Sequence, residues 1–501
     1  MNWLSTGTGS SEISDDEFAD LTLKKSLEDA GFSVNPEVWN YYSGTGLRLN
    51  RGGGGENATW DLNETDWATL EAQCGSSFDQ YSDVAVLVVS RIGCEGGDLP
   101  RDMSRDGGAE GENYQQLSQT ERELLEGAKA AGFRKIVVLL NTCNAMQMDF
   151  INDESLGVNA CLAIGATGAN GLEEVGKILS GSVNPSGHAV DTYVYDNFSA
   201  PAMQNFGDQR YITADGELLG DDYAFINYGE GIYVGYKYYE TRYEDKVMGT
   251  GNAGSYNYAD TVAFPFGFGL SYTQFSYSDF TLTENEDGTL TVTATVTNTG
   301  DVAGKDAVGL YYQSPYTQYD RENGVEKASI NLADFSKTKE LAPGESQQIT
   351  FTFDAVDTMK SYDANQARSY IMDQGDYYIT VAPDAHEAVN NILNRKGYTV
   401  EDGMTSAGDG AMVGVYTVDT FTVIANDSRT GTPVTNQFDD ATAADAVYLS
   451  RSDWSVMEND GLRYATGTMA LSDKLTVGTH VADEELIANL QNIGWDASGI
   501  P

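Results

Sequence analysis

Uninterrupted runs of apolar residues alternate with segments of helical spacing in the first third of the chain. Val84–Ser90 is a β-branched run that predicts a strand buried on both faces, and Lys135–Asn141 and Ala160–Ile164 follow the same pattern. Between the first two runs, Ser118-Gln-Thr-Glu121 matches a capping box at the start of a helix. Strands alternating with helices predict a mostly parallel sheet with helices on both faces, that is, an α/β sandwich.

The start of the chain has a glycine-rich loop, Ser5-Thr-Gly-Thr-Gly-Ser10, ahead of a second capping box at Ser14-Asp-Asp-Glu17. The helix that follows is predicted to end at Gly31. A loop before a helix N-terminus can bind phosphate, but this one lacks the Gly-Lys-Ser/Thr ending. A nucleotide-binding protein that uses the loop around Gly7 is therefore the least favoured interpretation.

Later segments alternate apolar and polar residues with period 2. Thr289–Thr299 follows a hairpin turn at Asn285–Gly288, and Gln348–Phe353 and Asp376–Val381 repeat the pattern. Short strands at this spacing predict an immunoglobulin-like or fibronectin type III-like β-sandwich. Val415–Ile424 is expected to return to it as a further strand.

The segment between the two folds is rich in tyrosine, glycine and asparagine, as in Asn227–Tyr239. Tyrosine clusters can form a platform on which sugars stack, or they can fill the seam between two domains with amphipathic rings. The second interpretation is favoured.

These patterns predict a multidomain chain with four parts. Residues 1–195 form the α/β sandwich, and residues 196–277 form a Tyr/Gly-rich connecting segment packed on it. Residues 278–425 form the fibronectin-like sandwich, and residues 426–501 form a linker.

The charge of the protein limits its partners. Acidic residues number 76 and Lys plus Arg 29, which gives a net charge of −47. This field repels nucleic acid and anionic membranes but permits neutral ligands such as sugars. No stretch reaches the ~20 apolar residues of a membrane span, and Met1–Gly7 does not resemble a signal peptide. The pattern favours a soluble protein and, weakly, the cytoplasm, although the compartment stays open.

The four cysteines, Cys74, Cys94, Cys143 and Cys161, lack metal-like spacing. Free buried thiols are favoured over a disulfide framework. Because all three histidines are remote from Cys94, a catalytic cysteine is disfavoured. We predict no metal and no cofactor.

The candidate chemistry lies where the first strand ends, in Arg91-Ile-Gly-Cys-Glu-Gly-Gly-Asp-Leu-Pro100. Ligands of open α/β sheets bind at the carboxyl ends of the strands, so Glu95 is placed for chemistry. Glu95 could equally be one more solvated acid in an acidic protein.

Four ordered motifs resemble the family 3 glycoside hydrolases. Asn184-Pro-Ser-Gly-His-Ala-Val-Asp-Thr192 is similar to the family's "NPSG...DT" segment, and Glu230–Tyr239 to its "EGIYVGYRYY" segment. Phe264–Thr273 is similar to "FPFGYGLSYT". The sandwich segments Val296–Gly300 and Glu340–Glu345 resemble the family's fibronectin-type domain. The resemblance extends over about residues 5 to 385.

The resemblance implies a retaining β-glycosidase, in which two carboxyl groups roughly 5 Å apart act on the glycosidic bond. Ser90–Asp98 is similar to the family loop that carries the acid/base glutamate, so Glu95 is implied to be the proton donor. Arg91, Gly93 and Gly96 belong to the same substrate loop, and Asp98 is expected to keep the loop in shape. Cys94 stands where glycine is more usual.

The family also implies a (β/α)8 barrel that supplies the nucleophile, and the ~250 residues of such a barrel do not fit in this sequence. Val447–Trp454 resembles the segment that leads into the barrel in members with reversed domain order. We therefore expect a reversed-order member that lacks its barrel, with a separate or truncated barrel domain as an additional partner. Asp453 is a weak candidate nucleophile and is better interpreted as part of a linker. His188 is expected to be structural.

The predicted function is that of a β-glycosidase, favouring β-glucosidase, which acts on carbohydrate and is inactive as these 501 residues alone. The alternative is a non-catalytic carbohydrate-binding or scaffold protein derived from such an enzyme.

Overall fold

The computed structural model describes residues 22–45, 60–93, 99–168, 170–205, 210–212, 228–436, 448–452, 454 and 479–481. Several predictions concern residues outside these ranges. They are the Gly7 loop, the capping box at Ser14–Glu17, the loop residues Cys94, Glu95, Gly96 and Asp98, and Asp453.

The first half is built on a parallel sheet with the strand order β1-β2-β3. Its strands are β1 (Val84–Arg91), β2 (Lys135–Thr142) and β3 (Ala160–Ala163). The helices of this half are α1 (Leu23–Asp29), α2 (Pro36–Gly44), α3 (Trp67–Cys74), α4 (Gln119–Ala130), α5 (Leu172–Leu179) and α6 (Pro201–Asn205). The α/β fold class is as predicted, and α4 has the predicted capping box at Ser118 and Glu121.

Alternate residues of β2 cover the two faces of this sheet. Val138 and Leu140 belong to an apolar cluster with residues of α4 on one face. Leu139 packs on the opposite face with Leu23 of α1 and Leu172 of α5. The helices therefore lie on both faces of the sheet, as expected for parallel strands.

The prediction that β1 is buried on both faces was wrong for most of the strand. Only Val89 and Arg91 are fully buried, and Val84 is exposed. The physical reason is position: in the described part of the sheet, β1 pairs with β2 on one side only.

The connecting segment contains short elements and one long helix. β4 (Tyr193–Val194) lies just before the segment; within it are α6, β5 (Arg210–Ile212), α7 (Tyr236–Met248), α8 (Tyr258–Thr261) and β6 (Val262–Phe264). Four of its tyrosines, Tyr233, Tyr238, Tyr239 and Tyr243, are each at most 3% exposed, in a cluster with residues of the helix Ala385–Arg395, whereas Tyr228 and Tyr272 are exposed. Buried rings are not available for sugars to stack on, so these four tyrosines fill an interior.

The second half is an antiparallel β-sandwich. Its strands are β7 (Phe275–Glu284), β8 (Thr289–Asn298), β9 (Ala307–Gln313), β10 (Asn331–Lys337), β11 (Ser346–Asp354), β12 (Ser361–Asp363), β13 (Ser369–Met372), β14 (Gly375–Ala382), β15 (Val413–Val418) and β16 (Thr422–Ile424). Its helices are α9 (Gln318–Asn323), α10 (Ala355–Met359) and α11 (Ala385–Arg395). The sheets have the orders β11-β8-β7 and β10-β9-β14-β15, with β12-β13-β16 beside them.

The sandwich core follows the predicted period of 2. In β8, Leu290, Val292, Ala294 and Val296 are all 0% exposed, and the residues between them are partly exposed. The predicted strand Val415–Ile424 is divided in two: β15 pairs with β14 and so returns to the sandwich, whereas β16 pairs with β13 in the neighbouring sheet. The strand β17 (Thr479–Val481) lies apart from it and pairs with β5 in parallel.

Two motif residues join the halves. The side-chain oxygen of Asn184 accepts hydrogen bonds from the backbone N–H of Tyr272 (2.8 Å) and the Ser271 hydroxyl (2.9 Å), while its amide donates to the carbonyl of Ala303. His188 Nδ1 lies 2.5 Å from the carbonyl oxygen of Gly267. His188 is therefore in a structural environment.

Cys74, Cys143 and Cys161 are free thiols, but only Cys74 is buried. Cys143 is exposed because it follows β2 in the turn beyond the sheet, which corrects the expectation of a buried thiol there. Within the described ranges, no helix combines the length and apolar character needed to cross a bilayer.

Candidate active-site loop

The candidate loop begins at the carboxyl end of β1, where Arg91 is the last strand residue and is 0% exposed. Its guanidinium forms two parallel hydrogen bonds to Glu121, from Nη1 at 2.8 Å and from Nη2 at 2.7 Å. Burial disfavours the charge, but the facing carboxylate outweighs it and raises the pKa of Arg91.

The remaining donors of Arg91 bind backbone carbonyls. Nε donates to Tyr114 (2.6 Å), Nη1 also to Ser90 (3.0 Å) and Nη2 also to Gln116 (2.7 Å). All five N–H groups of the guanidinium thus have an acceptor. Arg91 joins the strand end to the segment before α4 and has no donor left for a ligand.

Tyr114 connects the two ends of the loop. Its hydroxyl accepts a hydrogen bond from the backbone N–H of Ile92 (3.1 Å), and its own N–H donates to the carbonyl of Pro100 (3.0 Å). The ring is 1% exposed and packs with Trp60 and Met103, beside Ile92 and Leu99. Ile92 and Pro100, on the two sides of residues 94–98, are therefore both hydrogen-bonded to one buried tyrosine.

Of the predicted loop residues, the structure places Arg91 and Gly93 at the strand end, two residues apart. A side chain at Gly93 would meet nothing within 4 Å, so its immediate surroundings do not require glycine. Glu95, Gly96 and Asp98 lie outside the described residues, and their roles stay predictions.

Sequence reasoning missed Glu64, a carboxyl group in this neighbourhood. It accepts hydrogen bonds from the Tyr42 hydroxyl (3.0 Å) and from the N–H of Thr65 (2.8 Å). Burial raises the pKa of Glu64 to about 7, and the negative charge of Glu121 adds to the effect. Perturbed carboxyl groups cluster at functional sites but also occur in structural networks. No motif marks Glu64.

Tyr114 was missed for a related reason. It lies 23 residues after Arg91 in irregular chain, where no periodicity connects the two. Glu121 was found as half of a capping box, whose bond to the Ser118 N–H is 2.8 Å. The same carboxylate also neutralises Arg91.

The described residues contain no group of three His, Cys, Asp or Glu side chains placed to hold a metal ion. Chemically, the described strand end is held by hydrogen bonds of Arg91 and Tyr114, and the role of a carboxylate in the segment that follows is a prediction. Such a group is suited to proton transfer, in which geometry counts first and pKa second.

The architecture defines a class of protein: a parallel α/β domain followed by a fibronectin-like sandwich. Comparison with known families specifies it. Residues 23–236 match the glycosyl hydrolase family 3 C-terminal domain, and residues 306–385 match the fibronectin type III-like domain. Residues 23–236 thus match a domain of the family 3 glycoside hydrolases, which agrees with the resemblance in the motifs of the chain.

Individual proteins are also similar to this chain. A β-glucosidase of Ruminococcus albus is 28% identical over 397 residues, which cover 77% of this chain and 36% of the relative. The crystal structure of a β-glucosidase from Paenibacillus barengoltzii matches with a TM-score of 0.59 and 26% identity, over 80% of this chain and 38% of that one.

Thermotoga neapolitana β-glucosidase 3B, solved in complex with α-D-glucose, has the same fold at 22% identity and a TM-score of 0.58, over 84% of this chain and 49% of that chain. The chain therefore spans between about a third and a half of the length of the relatives it matches.

Proposed function

We propose that this chain provides the acid/base half of a retaining β-glycosidase, favouring a β-glucosidase, with Glu95 as the proton donor. The observation that carries the proposal is the position of the Ser90–Asp98 motif. It begins at the carboxyl end of β1, in a domain that matches the family 3 C-terminal domain. Relatives named β-glucosidases support the substrate class.

In this mechanism the described residues hold the loop and do not react. Arg91, paired with Glu121, fixes the last residue of β1, and Tyr114 fixes the residues on either side of the loop. Positioning matters because proton transfer requires the acid within about 2.6–3.2 Å of the glycosidic oxygen. A retaining mechanism also requires a second carboxylate as nucleophile, which this proposal does not assign to a described residue.

The first test is an assay of the 501-residue polypeptide with a chromogenic β-glucoside. We expect little or no turnover, because the proposal assigns only the acid/base group to these 501 residues, which span about a third of the length of the β-glucosidase of Ruminococcus albus. Turnover at a rate usual for glycosidases, about 1–10³ s⁻¹, would contradict this division of the active site.

The second test adds a family 3 (β/α)8 barrel, produced separately, to the polypeptide. We expect β-glucosidase activity that depends on both components and falls at least about 10²-fold in Glu95→Gln, the usual contribution of an acid/base group. Glu110→Gln, at an exposed position of the same domain, is the matched control. Equal activity of the Glu95→Gln and Glu110→Gln variants would refute the assignment of Glu95.

The competing proposal is a non-catalytic carbohydrate-binding or scaffold protein. It is weakened because Tyr233, Tyr238, Tyr239 and Tyr243 are buried and cannot stack on a sugar, whereas Tyr228 and Tyr272 of the same segment are exposed. Saturable binding of a β-glucoside in calorimetry, unchanged in Glu95→Gln, would favour this alternative. The domain boundaries at 195, 277 and 425 stay part of the proposal.

A further inference from the structure

A short segment beyond the sandwich packs deeply into the protein. We call Tyr448–Trp454 the anchor segment; its residues 448–452 and 454 are described. Leu449 is 1% exposed and Trp454 is 0% exposed. The backbone N–H of Leu449 donates to the carbonyl of Gly229 (2.7 Å), and the Ser450 hydroxyl donates to Glu326 (2.5 Å). This is the packing of a core element.

Arg451 is the charged contact of the anchor segment. Its Nη2 donates to Asp245 Oδ1 (2.5 Å) and Glu244 Oε2 (3.2 Å) on α7, and its Nη1 donates to the carbonyl of Lys327 (3.0 Å). Lys396, 2.8 Å from Glu244, is the other cation of this group. Without Arg451, two adjacent buried carboxylates would face one lysine, an arrangement that costs free energy.

Trp454 is the aromatic contact. Its indole Nε1 donates to Asp245 Oδ2 (2.7 Å), and its ring meets Tyr233 edge-on with centroids 5.0 Å apart. Gly251 makes room for the segment, because a Cβ atom there would lie 2.4 Å from the backbone oxygen of Arg451. One carboxylate, that of Asp245, therefore binds both Arg451 and Trp454.

We propose that α7, the Gly251 turn and the Glu326–Lys327 segment form a peptide-docking groove whose ligand is the chain's own anchor segment, recognised through Arg451 and Trp454. A Trp and an Arg in fully desolvated pockets are the usual dominant contacts of peptide and protein interfaces. Docking of the anchor segment, in addition to its covalent connection to the sandwich, then fixes the position at which the chain continues beyond Trp454. This assignment does not depend on glycosidase activity.

The backbone beyond the anchor segment is consistent with a fixed exit point. β17 pairs in parallel with β5, which lies before α7 in the sequence. The chain thus returns to the connecting segment after it has docked on α7.

The experiment uses the wild-type chain first. Trypsin cleaves after Arg451 and after Arg429, and Arg429 is exposed in a surface turn. Docking predicts that cleavage at Arg451 is at least about 10²-fold slower than at Arg429, because the segment must open before it can be cut. Equal rates at the two sites, measured by mass spectrometry of timed digests, would overturn the proposal.

Conservative variants then test the recognition residues. Trp454→Phe keeps the ring but removes the hydrogen bond to Asp245, so cleavage at Arg451 should rise about tenfold or more while cleavage at Arg429 is unchanged. Tyr448→Phe, at a half-exposed position of the same segment, is the control and should leave both rates unchanged. If trypsin cleaves after Arg451 at the same rate in Trp454→Phe and Tyr448→Phe, Trp454 is not a recognition residue.

A peptide of residues 446–456 tests the groove directly. A labelled peptide should bind the full chain carrying Arg451→Ala and Trp454→Ala at least about tenfold more tightly than the wild-type chain, whose groove is occupied. Fluorescence anisotropy measures this. Absence of saturable binding to a folded double variant would refute the docking groove.

Size-exclusion chromatography tests whether the groove is filled by a second copy. If the wild-type chain elutes as a dimer and the double variant as a monomer, the anchor segment docks on a second copy, which would overturn docking within one chain.

Discussion

Strand β1 of the α/β domain and strand β8 of the β-sandwich bury different kinds of groups. Strand β8 of the sandwich presents four apolar residues, each 0% exposed, to a core between two sheets. Strand β1 of the α/β domain is mostly half-buried, and its most buried residues include a charged one, Arg91. A dry, regular core contributes stability. A buried charge at a strand end adds little net stability and fixes geometry where a loop begins.

The largest expected effect tests the buried charge. Arg91→Ala leaves Glu121 buried without its cation and removes three further hydrogen bonds, so we expect a loss of about 3–5 kcal/mol in the free energy of unfolding of the α/β domain. Arg134→Ala, which breaks an ion pair with Asp83 whose side chains are 72% and 75% exposed, should cost about 0–1 kcal/mol. Chemical denaturation of both variants checks this, and similar losses would mean that Arg91 is not a structural centre.

The second prediction compares the two strands through one substitution. Leu290→Ala in β8 should cost about 2–5 kcal/mol, because a fully buried side chain leaves a cavity. Leu87→Ala in β1 removes a half-buried side chain and should cost roughly half as much. Hydrogen exchange measured separately in each domain gives both values. A larger loss at Leu87 would show that β1, and not β8, lies in the better-packed core.

Much of this architecture could be predicted from the sequence because its signals are local. The period of 2 in Thr289–Thr299 marks β8 directly, and the capping box at Ser118 marks the start of α4. Burial of β1 was overestimated because an apolar run does not reveal how many neighbours its strand has. The pattern is the same for an edge strand and a central one.

The candidate site could be predicted only in part. Glycines and a carboxylate after a strand mark a loop, but the groups that hold the loop come from remote positions. Tyr114 has no periodic relation to Arg91, and Glu121 performs a second task that its capping motif does not encode. Long-range pairings of single residues carry no signal in one sequence without its fold.

A smaller effect is a pH dependence of stability that we expect in the α/β domain. Because the pKa of Glu64 is raised to about 7 in the folded protein, the folded state binds this proton more tightly than the unfolded state. Stability in the α/β domain should therefore fall as pH rises from about 4.5 through 7. In Glu64→Gln this dependence should disappear, so that the variant gains about 1–3 kcal/mol relative to wild type between pH 5 and 8.

The matched control for Glu64 is Glu110→Gln, at an exposed position, which should change stability by less than about 0.5 kcal/mol across the same range. Thermal unfolding at a series of pH values makes the comparison. If the stability of Glu64→Gln follows the wild-type pH curve throughout, the pKa of the Glu64 carboxyl is not raised. Glu64 is then no longer a candidate functional group.

The smallest effect concerns the joint between the two regions. Burial lowers the pKa of His188, but Asp306, 3.4 Å away, outweighs it, so the net pKa is raised. The stabilisation is then fully present below the ordinary pKa of about 6.5 and is lost as pH rises through the folded value.

His188→Gln should remove up to about 1 kcal/mol of this pH-dependent stability, and Asp306→Asn should lower the pKa of His188 itself. Titration of the imidazole signals by NMR separates the two, because the protein has three histidines. An unchanged His188 titration in Asp306→Asn would mean that the joint is held by the Gly267 and Asn184 hydrogen bonds alone and does not respond to pH.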